Sequence, residues 1–243
     1  MFQSSGHLIA LSALWLHVVA IAGCADPGSV STSPRADAER TSIRRTISDT
    51  TEPLRNWKYV VLHHTATTTG DVDSIDNVHK QRRDSKGRPW RGIGYHFVIG
   101  NGQGMPDGAV EATFRWTDQL DGAHAGSLAY NQHGIGICLV GNFEDAPPTP
   151  AQLRATYLLM QELGHQFALT EEQILRHGDL KATACPGRLF PYAELVQAYS
   201  HTQPRVAETP GAPHKDRVLP VSAKFIKEGS HVVPIQSPQS PRD

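Results

Sequence analysis

"KYVVLHHTAT", residues 58–67, is a near-continuous apolar run that stops on two adjacent histidines, His63 and His64. Without alternation of apolar and polar residues, such a run is expected of a strand buried on both faces, as in a parallel sheet. Adjacent residues on a strand point to opposite faces, so one of these histidines can enter a given site while the other packs on the far side. Ile135–Val140 has the same buried-strand character, and "GYHFVIG" (94–100) is strand-like up to the Asn101-Gly102 turn, with Val110–Trp116 as its expected hairpin partner. Ser74–Arg83 is expected to be a helix. Thr149-Pro150 is a helix start, because Thr caps well and Pro suits the first turn. Leu153, Tyr157, Met160, Gln161 and Gly164 follow at helical spacing, widened by Leu158 and Leu159. Ile174–Arg176 is a short strand and Pro191–Tyr199 a closing helix. Strands alternating with helices give an α/β fold with a central mixed sheet flanked by helices.

The ends differ from this middle. The chain has 243 residues, enough for one domain plus tails. Its net charge is -1, from 23 basic and 24 acidic residues, which argues against an electrostatic nucleic-acid binder. Leu8–Ile21 is an apolar segment too short to span a bilayer comfortably, and it runs into Ile21-Ala22-Gly23-Cys24. Small residues before a cysteine resemble a bacterial lipobox, with Cys24 as the lipidated mature N-terminus and the membrane as a partner. An ordinary signal peptide is the bland alternative. Ala25 rather than Asp follows Cys24, which favours the outer membrane in a diderm host. The expected organisation is a signal peptide over 1–24, a disordered tether over 25–56, the domain over 57–200 and a Pro-rich disordered tail over 201–243.

A second fragment, "ILRHGDLKATACPG" (174–187), places His177 eight positions before Cys185 in a loop that Pro186 keeps irregular. One imidazole from the first fragment, with an imidazole and a thiolate from the second, are three ligands of the types zinc prefers. Three protein ligands leave one tetrahedral position for water, the arrangement of a catalytic rather than a structural site. A closed structural site would need a fourth ligand, for which His64 and Asp179 are the local candidates. Cys138, in "IGICLVG", is expected to pack as a small hydrophobe.

Several motifs in order resemble the N-acetylmuramoyl-L-alanine amidases of the peptidoglycan-recognition and phage-lysozyme type. They are "VVLHHTAT" (60–67), "GIGYHFVI" (92–99), "GAHAG" (122–126), "NQHGIGICLVGNF" (131–143), "TPAQ" (149–152) and "HGDLKATACPG" (177–187). The resemblance spans about Trp57 to Tyr199 and implies the peptidoglycan-recognition/amidase fold. It implies Zn2+ on His63, His177 and Cys185, Tyr95 beside the metal, and His124 lining the substrate groove. Thr183 stands where many members carry Lys and others Thr, and Cys138 where some carry a glutamate. The implied activity is hydrolysis of the amide between the lactyl group of N-acetylmuramic acid and L-alanine, in peptidoglycan or muropeptides, by a monomer at the cell envelope. The competing expectation is a lipoprotein that binds peptidoglycan without cutting it; binding-only members usually lack the cysteine ligand.

Overall fold

A computed structural model of the chain describes residues 34–84 and 86–202. Its helices are α1 (Pro34–Ser48), α2 (Val72–Lys80), α3 (Phe114–Thr117), α4 (Leu128–His133), α5 (Pro150–Phe167), α6 (His177–Leu180) and α7 (Tyr192–Thr202). The strands are β1 (Tyr59–His64), β2 (Phe97–Ile99), β3 (Val110–Ala112), β4 (Gly134–Leu139) and β5 (Ile174–Arg176). They form one five-stranded sheet in the order β3-β2-β4-β1-β5. Only β2 and β3 pair antiparallel; β1 runs parallel to β4 and β5, and β2 parallel to β4. The sheet is therefore mixed and flanked by helices, as the alternating pattern predicts.

Register sorts the strand residues onto two faces. Val60 pairs with Ile135, Leu62 with Ile137, Phe97 with Ile137 and Ile99 with Leu139. This face is aliphatic and meets Leu159 and Leu163 of α5, Leu195 and Tyr199 of α7, and Ile43 and Ile47 of α1. Each large apolar side chain buried here contributes roughly 1.5–3 kcal/mol. The opposite face carries Val61 beside Gly136 and His63 beside Cys138. It is covered in part by Val72 and Ile75 of α2.

The start of α5 is fastened to the sheet. Thr149 Oγ1 accepts the Gln152 N–H at 3.0 Å, and Gln152 Oε1 accepts the Thr149 N–H at 3.1 Å. Gln152 Nε2 then donates to the carbonyls of Val140 (2.8 Å) and Ile99 (3.2 Å), where two strands end.

Three sequence expectations change. Within the disordered tether expected over 25–56, residues 34–48 instead form α1, which buries Ile43 and Ile47 in the core. Arg40 and Arg44 of α1 pair with Glu162, the latter at 2.7 Å, and Arg154 pairs with Glu39 at 2.8 Å. The Ile47 carbonyl accepts the Trp116 indole N–H at 3.0 Å. Two isoleucines in fifteen residues are too weak a pattern to announce a helix, so its order comes from docking. Second, the hairpin partner ends at Ala112: Thr113 accepts the Arg115 N–H at 3.2 Å and caps α3. Third, the first helix lies over 72–80 rather than 74–83, because Asp71 is its cap, accepting the Ser74 N–H at 2.7 Å. The signal peptide, Cys24 and the tail beyond 202 lie outside the described residues. Among those described, no helix is long and apolar enough to cross a membrane.

Candidate metal centre

Three elements deliver three donors to one point. His63 is the penultimate residue of β1 and is fully buried. Because β5 pairs with β1 up to Arg176, the next residue, His177, lands beside it, with ring centroids 4.6 Å apart. Cys185 arrives on the loop after α6, which closes through a bond from the Gly178 N–H to the Cys185 carbonyl at 2.9 Å. A β-carbon on Gly178 would lie 3.1–3.2 Å from the Thr183 and Cys185 carbonyl oxygens, so glycine permits this close return. His63 Nδ1 stands 3.7 Å from Cys185 Sγ, which also accepts the His64 backbone N–H at 3.4 Å. One ligand atom from each of His63, His177 and Cys185 lies within 4.8 Å of the other two.

The donor set fits a metal. His177 Nε2 is the single buried side-chain nitrogen or oxygen among the described residues with no hydrogen-bond partner. Such an orphan is costly unless something else satisfies it. Two imidazoles and a thiol are borderline-to-soft donors suited to zinc. Burial, then the neighbouring His124 and His177, hold the His63 pKa well below the ordinary 6.5, so its ring is neutral and keeps a lone pair. Burial and Lys181 lower that of His177 as well. Burial pushes the Cys185 thiol up to about 11 against the opposing His64 N–H, so without a cation it keeps its proton. A coordinating cation reverses that preference.

No fourth ligand joins the cluster among the described residues. His64 faces the aliphatic side, as expected of the second histidine, and its Nδ1 accepts the Phe143 N–H at 3.2 Å. Asp179 is held by Arg176 at 2.7 Å. Neither local candidate for a closed structural site is available.

Tyr95 stands with its ring 5.1 Å from that of His63 and forms one wall of an open groove of about 170 Å³. Thr65, Ile75, Val78, His79 and Arg82 also line it. Burial, then Cys138 and Cys185, raise the Tyr95 hydroxyl well above its usual 10, so it stays a hydrogen-bond donor near neutral pH. Thr183 is exposed, and its hydroxyl oxygen accepts the Cys185 N–H at 3.3 Å. That bond aims the hydroxyl while leaving its own hydrogen to donate.

His124, expected to line the substrate groove, is buried beneath His63, 6% exposed, and is not among the residues that line the groove beside Tyr95. Its Nδ1 is 3.0 Å from His63 Nε2, and its Nε2 is 3.2 Å from the Gly134 carbonyl. With both ring nitrogens occupied, it has none to offer a substrate or a leaving amine. His79 and His96, unassigned from the sequence, also belong to this neighbourhood. His79 Nδ1 accepts the Gly94 N–H at 3.0 Å and its ring lies 5.5 Å from Tyr95. His96 Nδ1 accepts the Gly136 N–H at 2.9 Å, tying β4 to the segment before β2. His96 is thus held between two backbone groups, whereas His79 also lines the groove beside Tyr95. Their proximity follows from strand order, for which single residues give no signal.

The profile of the N-acetylmuramoyl-L-alanine amidase family (Amidase_2) matches residues 53–188, more than half of the chain. Peptidoglycan-recognition protein SC2 of Drosophila melanogaster is 33% identical over 141 residues, 55% of this chain and 71% of that protein. The endolysin of Enterobacteria phage T3 is 33% identical over 142 residues, 56% of this chain and 83% of the endolysin. Among solved structures, the N-acetylmuramoyl-L-alanine amidase LysC from Clostridium intestinale URNW matches with a TM-score of 0.50 at 32% identity. That match covers 60% of this chain and 89% of the other. The chain belongs to the N-acetylmuramoyl-L-alanine amidase family.

Proposed function

We propose that this member of the amidase family is a zinc-dependent N-acetylmuramoyl-L-alanine amidase, which hydrolyses the amide between the lactyl group of N-acetylmuramic acid and L-alanine of the stem peptide. The observation that carries this reading is the convergence of His63, His177 and Cys185 around the orphaned His177 Nε2, with no fourth ligand among the described residues. His63, His177 and Cys185 would hold the ion. When bound, zinc supplies a Lewis acid that activates water near neutral pH and polarises a carbonyl.

The chain's own residues do the rest. Tyr95 lines the groove and stands beside His63, so a stem peptide held in the groove would present its scissile carbonyl toward the three-ligand cluster. Tyr95, kept protonated by burial, donates a hydrogen bond to the oxygen on which negative charge develops. The Thr183 hydroxyl, held by the Cys185 N–H, is a second donor from the opposite loop. Both donors are set before the reaction, which is what makes such contacts effective in a partly desolvated site.

The test is digestion of purified peptidoglycan by zinc-loaded and chelator-treated protein, with released stem peptides identified by mass spectrometry. Peptides with a free L-alanine amino terminus, seen only with the loaded protein, are expected. Retention on the wall without release would favour a binding module instead. Anchoring at Cys24 is a separate proposal supported by "IAGC" (21–24). Cys24→Ala should move the protein from the membrane to the soluble fraction; a soluble wild-type protein with another mature N-terminus would contradict it.

A further inference from the structure

We propose that His124 is a positioning residue: it sets which ring nitrogen of His63 carries the proton, and so presents an unprotonated Nδ1 to the metal. This rests on the metal reading above. The direction of the chain of bonds follows from its far end. The Gly134 carbonyl, 3.2 Å from His124 Nε2, can only accept, so that nitrogen is the protonated one. A neutral imidazole has a single N–H, which leaves His124 Nδ1 as an acceptor. His63 Nε2, 3.0 Å away, must then be the donor. His63 Nδ1 is left with its lone pair, on the side where Cys185 Sγ lies 3.7 Å away. The opposite arrangement would set lone pair against lone pair between buried groups, where unmade hydrogen bonds are most costly.

The ring of His124 is held in the orientation this requires. A β-carbon on Gly122 would lie 2.3 Å from its Cδ2, and one on Gly136 would lie 2.7 Å from its Cγ. Two glycines thus leave a slot the width of the imidazole. Asn131 Oδ1 accepts the backbone N–H groups of His124 and Ala125, each at 2.9 Å, and fixes the loop that carries the ring. Hydrogen bonds to the non-ligating nitrogen of a metal-bound histidine orient the ring, and their loss typically weakens metal binding about 10- to 100-fold.

Two readouts test the relay. Nitrogen-15 NMR of the metal-free wild-type protein should find His63 as the Nε2–H tautomer and His124 likewise. Zinc affinity, measured by competition with a chelator, should fall about 10- to 100-fold in His124→Leu. It should stay within about 5-fold of wild type in His124→Asn, whose side-chain oxygen can accept at the place of Nδ1. A His63 Nδ1–H tautomer, or folded His124→Leu binding zinc as tightly as wild type, would overturn the relay while leaving the amidase reading intact. Failure of wild-type protein to bind zinc would overturn the metal reading, and the metal-free tautomers would still decide the relay. Should His124→Leu not fold, the wild-type tautomers and the asparagine variant carry the test.

Discussion

The two faces of the sheet obey different rules. On the face toward α1, α5 and α7, Val60, Leu62, Ile135, Ile137 and Leu139 pack against further apolar side chains. The polar groups at its border are paired, Glu162 with two arginines and Trp116 with the Ile47 carbonyl. On the other face His63, His124 and His96 are buried among Gly122, Gly136 and Cys138, and one nitrogen, on His177, has no partner. Burying three histidines costs free energy that aliphatic residues there would have contributed. That cost accords with the metal site proposed for this face, while the opposite face provides the stability that tolerates it.

The difference can be broken one face at a time. The largest effect is expected at the ligand face: Cys185→Ser should lose zinc and lower turnover by at least about 1000-fold, since a hydroxyl replaces the thiolate. Metal content per chain, measured with circular dichroism to confirm folding, checks this. Cys138→Ser, beside the cluster but outside it, should retain zinc. Next comes the aliphatic face, where Leu159→Ala should cost about 2–5 kcal/mol of stability in denaturant unfolding. The folded fraction should still bind zinc with wild-type stoichiometry; loss of metal in parallel with stability would show that the faces are not separable.

Thr183→Ala should keep zinc and lower turnover about 10- to 100-fold, by removing one oxyanion donor. Unchanged turnover would reduce Thr183 to a loop residue that caps the Cys185 N–H. The smallest effect belongs to the α1 seam. Burial alone would raise the Glu162 pKa, but hydrogen bonds from Arg44 and Arg40 outweigh it and the net shift is downward from 4.5. A carboxylate with a depressed folded pKa stabilises the fold above its unfolded value. That contribution is lost as pH falls below 4.5 through the lower folded value. Glu162→Gln should therefore cost about 1 kcal/mol at pH 7, since Arg44 is largely solvated, and should flatten the fall in Tm on acidification. Equal pH slopes for variant and wild type would contradict it.

What the sequence disclosed follows the same division. Strands β1, β4 and β5 and helix α5 were legible because their apolar patterns are long or capped, as at Thr149-Pro150. The clustering of the donors His63, His177 and Cys185 was legible from donor chemistry and from the order of the family motifs. Helix α1 was not: it lies before the family match at 53–188, and two isoleucines reveal nothing until α5 is there to receive them. Nor was the place of His124 beneath His63. Two residues 61 positions apart meet only because β1 lies beside β4, and no local pattern encodes that adjacency. The motif "GAHAG" marks His124 as notable, while the slot between Gly122 and Gly136 decides what it touches.

Metal-free protein titrated with zinc, with stem-peptide release from purified peptidoglycan followed at each addition, tests the central claim most directly. Release should rise in proportion to bound metal and reach its plateau at about one zinc per chain, the stoichiometry of a three-ligand catalytic site. Full release at zero zinc, or no release at any zinc content, would contradict it.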